Sequence, residues 1–287
     1  MLSSMTGFAR VEKTSPAGSM VLELRTVNHR YLDISFRMPE ELRAFEGQLR
    51  EKLQHQLSRG KVECNLRFSP VLAGGEIIVD EAAVEALLAA VQKVESIMSN
   101  AARMPALDIL RWPGIIQENA LDKNEVNRLL LDTVDKGLKA LLEMRAQEGR
   151  RMGVLLHQRL DQIEEITEKV RKRRPEVIVA IREKMQARLQ MLDVDADPGR
   201  LEQEMAIIAQ KLDVDEELDR LDSHVKATRE VLERSEPVGR RLDFLMQEFN
   251  REANTLSSKS ADSETTQAAV EMKVMIEQMR EQVQNIE

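Results

Sequence analysis

Two stretches of this sequence carry the residue types that phosphodiester chemistry uses. The first is acidic and ends in a histidine: Asp213, Asp215, Glu216, Glu217, Asp219, Asp222 and His224. On a helix Asp215, Asp219 and Asp222 share one face at i, i+4, i+7, while Glu217 and His224 share another at i, i+7. Carboxylates beside an imidazole suit Mg²⁺ or Mn²⁺, and such an ion activates water against a phosphodiester. The plainer reading is a helix start. Asp213 as N-cap with Glu216 at N3 makes a capping box, and acidic residues in a first turn stabilise the helix dipole by about 0.3–1 kcal/mol each. That reading suits Asp215, Glu216 and Asp219 and explains Glu217 and His224 less well. The second stretch runs from Gly239 to Leu256. Leu242, Leu245, Phe249 and Leu256 form its apolar stripe, and Arg240, Asp243, Gln247, Arg251 and Asn254 form a polar one. Glu248 and Glu252 are like charges at i, i+4, a pairing that costs about 0.2–0.5 kcal/mol on a bare helix. A neutralising partner is implied: Lys259, an arginine or a metal. Salt bridging is the plainer reading here.

A third cluster is basic: Arg25, Asn28, His29, Arg30 and Tyr31, followed by Arg37 and, later, Arg67. Arginines hold phosphates bidentately, a tyrosine can stack on a base, and a histidine moves protons near neutral pH. If the strands pair as their alternation suggests, Arg25, Tyr31, Arg37 and Arg67 lie on the polar side of one sheet. Asn28, His29 and Arg30 then occupy a hairpin. A solvated face with cross-strand ion pairs is the plainer alternative.

The elements that must position these residues follow from periodicity. Met20, Leu22 and Leu24, then Leu32, Ile34, Phe36 and Met38, then Val62, Cys64, Leu66 and Phe68 alternate with polar neighbours. Period two with one apolar face marks half-buried strands. An earlier strand at 4–13 joins the second through Ser15-Pro16-Ala17-Gly18. Leu42, Phe45, Leu49 and Leu53 mark a helix at 40–57, opened by Pro39 and stopped by Ser58-Arg59-Gly60. Helices are expected at 81–99, 124–173, 198–211, 214–234, 238–256 and 262–286. The second of these ends before Pro175; nearly fifty residues at ~1.5 Å each would span ~75 Å, so the helix either protrudes or breaks, with Gly149 and Gly153 as the break points. The turn at Trp112-Pro113-Gly114 and the loops at 193–199 and 257–260 punctuate the rest. In the last helix Ala269, Met272, Ile276, Met279, Val283 and Ile286 step 3, 4, 3, 4, 3. That heptad stripe packs inside the bundle or against another subunit. The fold class is therefore α+β: an N-terminal β-β-β-α-β domain followed by a long-helix C-terminal bundle. Three regions are expected: 1–120 with a basic sheet face, 121–197 with long helices, and 198–287, a helical domain carrying the motifs.

Composition narrows the function classes. Hydrophobic residues make up 42% and charged ones 32% of 287 residues, the mark of a globular chain rather than a disordered one. No 18-residue apolar run and no secretory leader is visible, so a membrane partner is excluded and the cytoplasm is expected. The single cysteine, Cys64, rules out an internal disulfide framework and a thiolate zinc site within one chain. There is no P-loop, GxGxxG, GxSxG, HExxH or CxxC. The net charge of −8 argues weakly against a nucleic-acid partner. The distribution softens this: residues 1–70 carry 11 Lys and Arg against 8 Asp and Glu, the remainder 31 against 42.

Ser4-Met5-Thr6-Gly7-Phe8-Ala9, Val27-Asn28-His29-Arg30-Tyr31-Leu32-Asp33, Arg220-Leu221-Asp222-Ser223-His224 and Gly239-Arg240-Arg241-Leu242-Asp243-Phe244-Leu245-Met246-Gln247-Glu248 together resemble the bacterial YicC family. The likeness continues through Asn250–Leu256 and Ser258-Lys259 and covers the whole chain. One departure is Arg241, where lysine is common; the charge is kept. The resemblance implies a cytoplasmic endoribonuclease that cuts single-stranded RNA, not DNA, linked to stress responses and small-RNA turnover. It also implies an oligomer, a hexamer, with Mn²⁺ or Mg²⁺ associated with activity and other RNA-decay enzymes as further partners. No active site transfers with it, so roles rest on the motif positions themselves. In the endoribonuclease reading Arg25, Asn28, Arg30, Arg37, Arg240, Arg241, Arg251 and Lys259 bind RNA. Glu217, His224, Glu248 and Glu252 hold the metal, with His224, Glu248, Glu252 and His29 as the catalytic candidates. A metal-free branch uses His224 as general acid–base, with the RNA 2′-OH attacking. Two other readings use the same residues: an RNA-binding adaptor without chemistry, and a scaffold that binds protein through the terminal heptad helix.

Overall fold

The computed structural model describes residues 2–70, 79–98, 104–116, 123–191, 197–234 and 236–287. Alternating side chains build four strands: β1 (Gly7–Ser15), β2 (Gly18–Val27), β3 (Leu32–Arg37) and β4 (Gly60–Pro70). β1 and β2 form a hairpin closed at Ser15 opposite Gly18. Gly18 sits at φ +151°, and a Cβ there would stand 2.6 Å from the Ser69 carbonyl oxygen. The sheet order is β1-β2-β4-β3. β4 runs antiparallel to β2 and parallel to β3. The expected β2–β3 hairpin is therefore not formed: residues 28–31 carry the chain past the place where β4 inserts. The cause lies in the following helix, α1 (Glu46–Gln56), which a 3-10 turn over Glu40–Phe45 precedes. A helix between two strands makes a crossover, which returns the second strand parallel to the first.

Centrally placed, β4 turns Val62, Cys64 and Leu66 toward the face that Met20, Leu22 and Leu24 of β2 also line. Leu49 and Leu53 of α1 close this core together with Val126, Leu130, Val134, Leu138 and Leu141. These last five belong to α4 (Lys123–Met191), which follows two short surface helices, α2 (Glu81–Glu95) and α3 (Ala106–Leu110).

α4 corrects the expected breaks. It is one helix of 69 residues, about 100 Å at ~1.5 Å per residue, and it runs through Gly149, Gly153 and Pro175. The glycines serve packing. A Cβ on Gly149 would lie 2.2 Å from the Leu2 carbonyl oxygen, and one on Gly153 would lie 3.1 Å from Leu2 Cδ1. Ion pairs hold the helix to its neighbours on either side of Pro175. Arg171 meets Asp219 and Asp222, Arg173 meets Glu264, Arg174 meets Asp213 and Asp215, and Arg182 meets Glu202.

Along Leu156, Leu160, Ile163, Ile166 and Val170, the same helix joins a second core. Its partners there are α6 (Asp215–Leu232), α7 (Gly239–Lys259) and α8 (Ser263–Val283). α5 (Pro198–Lys211) lies before them in the chain and keeps the expected span. α7 runs to Lys259, so the loop expected at 257–260 is mostly helix. α6 starts one residue later than the capping box requires. Val214 is its N-cap, and the Asp213 carboxylate accepts from the Asp215 N–H at 3.1 Å. The heptad stripe is buried within this bundle, from Ala269 to Val283 in α8 and at Ile286 just past its end, which answers the choice between intramolecular and intersubunit packing.

The two ends of the chain meet beside α4. Ser4 pairs with Ile286 as an antiparallel bridge. The buried Arg145 donates from Nε to the Ser4 carbonyl and from its terminal nitrogen to Glu287, each at 2.5 Å. Among the described residues no helix is long and apolar enough to cross a membrane.

Candidate functional site

α6 buries Leu218, Leu221 and Val225. That spacing leaves Glu217, Arg220 and His224 at the edge of the buried face. α7 buries Leu242, Leu245, Met246, Phe249, Ala253 and Leu256, which sets Glu248 and Glu252 on its flank toward α6. The two flanks meet. One ligand atom from each of His224, Glu248 and Glu252 lies within 4.8 Å of the others. Phe249 backs the imidazole edge-on at 5.7 Å. His224 Nε2 is buried and has no hydrogen-bond partner, and Glu252 is only 3% exposed. A buried carboxylate and an orphaned ring nitrogen side by side leave polar groups that a cation would satisfy.

Charge compensation here comes from residues that periodicity did not single out. Arg220 reaches Glu252 at 3.4 Å and Glu216 at 2.5 Å. Glu216, then Glu252, push this guanidinium above its ordinary value, so its charge is permanent. Glu217 does not stand in the trio. Its Oε1 accepts from Lys259 Nζ at 2.8 Å, while its buried Oε2 has no partner. Lys259, expected to bind RNA, also donates to the Asp213 carbonyl at 2.8 Å. Asp213, Glu216, Glu217, Arg220 and Lys259 line an open groove of about 540 Å³. Asp219 and Asp222 are held by Arg171. Burial opposes ionisation of Arg171, but the bonds and charge of these two aspartates raise its value overall. The i, i+4, i+7 aspartates are thus a docking face for α4.

On the crest of α7, Arg240, Arg241 and Arg251 are exposed. Arg251 is 4.0 Å from Glu248. Gln247 donates to Asp243 and Asn254 to Asn250, each at 3.0 Å. Met246, Gln247, Asn250, Arg251, Asn254 and Arg280 border a second open groove, of about 520 Å³, between α7 and α8.

The sheet residues form a separate group. Arg25 stands opposite Glu63 and Arg37 beside Asn65, on the polar face as expected. That face also holds Arg10–Glu23 and Lys61–Glu63 ion pairs, so it is mixed rather than strongly basic. Arg30 lies 5.2 Å over the Tyr31 ring. His29 Nδ1 is 3.0 Å from the Tyr31 carbonyl oxygen, inside its own loop and not at the trio. Asn28 does reach the bundle, donating to the Gln284 carbonyl at 2.7 Å.

Arg220, Arg59 and Arg280 are the polar residues that sequence reasoning passed over. Arg220 had a signal, four residues before His224 on one helix; the other two are near the motifs in space alone.

Comparison with known proteins places the chain in a family. The profile described as "Endoribonuclease YicC-like, N-terminal region" matches residues 2–153, and that described as "Endoribonuclease YicC-like, C-terminal" matches 170–287. A protein of Haemophilus influenzae named "Probable endoribonuclease YicC" is 43% identical over 288 residues, covering all of both chains. One of the same name from Clostridioides difficile is 32% identical over 295 residues, again covering both. Two profiles spanning nearly the whole sequence and full-length relatives at these identities leave one assignment: the chain belongs to the YicC-like endoribonuclease family.

Proposed function

We propose that this protein is an endoribonuclease that cleaves single-stranded RNA at the His224–Glu248–Glu252 trio with a divalent ion. The observation that carries the reading is the convergence of three ligand atoms within 4.8 Å across two helices, one of them an orphaned imidazole nitrogen. One nitrogen and two carboxylates fit Mn²⁺ or another transition ion better than Mg²⁺, which prefers oxygen alone. Bound there, such an ion supplies an acidified water and positive charge against the phosphate. The chain supplies the rest. Arg220 bridges Glu252 and Glu216 through its two terminal nitrogens and so lends positive charge to the carboxylate side of the trio. Arg240, Arg241 and Arg251 on the crest of α7 bind the RNA backbone. Glu217 and Lys259 fix the start of α6 and so the position of His224, and Lys259 turns to RNA only by leaving Glu217. The sheet arginines and His29 form an outlying RNA surface. The assembly in which this works is a homo-oligomer in the cytoplasm, in line with the resemblance.

A second reading keeps the RNA and drops the chemistry. Arg220 and Lys259 already compensate Glu252 and Glu217, as structural ion pairs in an adaptor would. End-labelled single-stranded RNA with Mn²⁺, with Mg²⁺ and with EDTA separates the two. Cleavage by wild type that falls at least 100-fold in both His224→Ala and Glu248→Ala, with RNA binding kept, supports the nuclease. A 5′-phosphate product then fits the metal route and a 2′,3′-cyclic phosphate the metal-free one. RNA binding without cleavage in any lane would leave the adaptor.

A further inference from the structure

Where the sheet meets the bundle, Asn28, Arg59, Arg240, Asp243, Arg280 and Gln284 line a pocket of about 330 Å³. Three guanidinium groups share it with a single carboxylate, in a chain whose net charge is −8. None of the three is well satisfied. Arg59 donates from Nε to the His29 carbonyl at 3.1 Å, which leaves its terminal nitrogens for a ligand. Arg240 is exposed and has no ion pair or hydrogen bond among the described residues. Arg280 lies 3.9 Å from Asp243 and 3.7 Å from Glu277, both long contacts, and its buried Nε has no hydrogen-bond partner. A buried donor without an acceptor is unfavourable by about 1–3 kcal/mol. Convergent guanidinium groups with open donors are the chemistry that takes a phosphate.

The pocket is also placed for RNA. It sits at the first turn of α7, and Arg240 precedes Glu248 of the trio by eight residues on that helix, about 12 Å. At ~3.4 Å per stacked nucleotide this is roughly three to four nucleotides. The α7–α8 groove shares Arg280 with the pocket, and Arg251, which borders that groove, lies 4.0 Å from Glu248 of the trio. We propose that Arg59, Arg240 and Arg280 form a phosphate-binding pocket that anchors single-stranded RNA three to four nucleotides from the trio. This assignment rests on the RNA reading above, and it adds Arg59 and Arg280 as binding residues drawn from opposite domains.

The test is binding of a 12-nucleotide single-stranded RNA labelled at its 3′ end, in EDTA, read by fluorescence anisotropy at several salt concentrations. Arg59→Gln and Arg280→Gln are compared with wild type and with His224→Ala. Arg59 is half-buried, but its one bond among the described residues is from Nε to the His29 carbonyl, so its variant keeps the test open should Arg280→Gln misfold. The expected result is a 5- to 20-fold higher Kd in each arginine variant and a salt slope shallower by about 0.7. His224→Ala should bind as wild type does. A parallel RNA with a 5′-phosphate separates the sources: equal loss for both RNAs assigns an internal phosphate, and loss confined to the phosphorylated one assigns a terminal phosphate. Either supports the pocket. Unchanged Kd and slope in both arginine variants, with wild type still binding and cutting, would overturn the pocket and leave the nuclease reading standing. Wild-type protein that neither binds nor cuts RNA would overturn both.

Discussion

At the scale of single residues, environment decides what a side chain can do. Cys64 is the plain case. Burial pushes its thiol from the ordinary 9.0 up to about 12, because the charged thiolate would sit among Leu24, Leu66 and Val62. The folded thiol should therefore resist disulfide exchange reagents at pH 8 and react fully once urea unfolds the chain; equal rates in both states would count against this environment. Above pH 9 the unfolded chain loses this proton and the folded chain keeps it. Stability should then fall by up to about 1.4 kcal/mol per pH unit between 9 and 12. Denaturation of Cys64→Ala across that range should show a shallower fall, and matching slopes would refute the assignment. The trio was legible to a similar degree. Glu248 and Glu252 at i, i+4 demanded a neutralising partner, and the chain supplies Arg220. Glu217 reads from spacing as a neighbour of His224, yet it pairs with Lys259, because two helical turns separate it from that histidine. Spacing along one helix reports the face and not the depth along the axis.

At the scale of elements, the strands and most helices were readable from periodicity, and their exceptions have local causes. Strand order was not readable, because alternation says which face is apolar and not which strand is the neighbour. The glycines of α4 reverse the usual inference. In a helix interior, Gly→Ala ordinarily stabilises by about 0.5–1 kcal/mol. Gly47 in α1 has nothing within 4 Å of a built Cβ, so Gly47→Ala should follow that rule, with about 0.5 kcal/mol of added stability. Gly149→Ala should do the opposite, losing about 1–3 kcal/mol, since its methyl group would collide with the Leu2 backbone. Urea melts of both variants check the pair. A stabilised Gly149→Ala would show that the N-terminal segment yields at no cost. No sequence pattern announces such an approach, because Leu2 and Gly149 are brought together by the pairing of Ser4 with Ile286 and by Arg145.

At the scale of the molecule, α4 belongs to both cores. The family profile for the C-terminal part starts at residue 170, but the bundle core includes Leu156, Leu160, Ile163 and Ile166 of α4. A fragment of 170–287 lacks these four side chains and so the fourth wall of its bundle. It should be far less stable than a fragment of 153–287, by several times the about 1.5–3 kcal/mol of one buried aliphatic side chain. Circular dichroism melts of the two fragments test this, and equal melting temperatures would mean that α6, α7 and α8 close a core by themselves. The sequence showed a long helix here, over 124–173, and left it to protrude or to break at Gly149 and Gly153, because nearly fifty residues span ~75 Å; the helix is unbroken and runs on to Met191.

That shared helix has a mechanical side. From Leu141, the last sheet-core residue of α4, to Leu156, the first bundle-core one, 15 residues run unbroken, a beam of about 22 Å. Two bodies tied by a loop pivot freely; two bodies threaded on one rod and bonded to each other at their edges, as here through Asn28 and Gln284, move only as the rod bends or twists and those contacts give. α-Helices curve gently, with radii of about 60–100 Å, unless proline or a bulge intervenes, and Pro175 lies beyond this stretch. The gap between Arg59 on one body and Arg280 on the other is therefore an elastic quantity, set by the bending stiffness of α4 together with the Asn28–Gln284 and Ser58–Glu287 bonds that tie the bodies beside it.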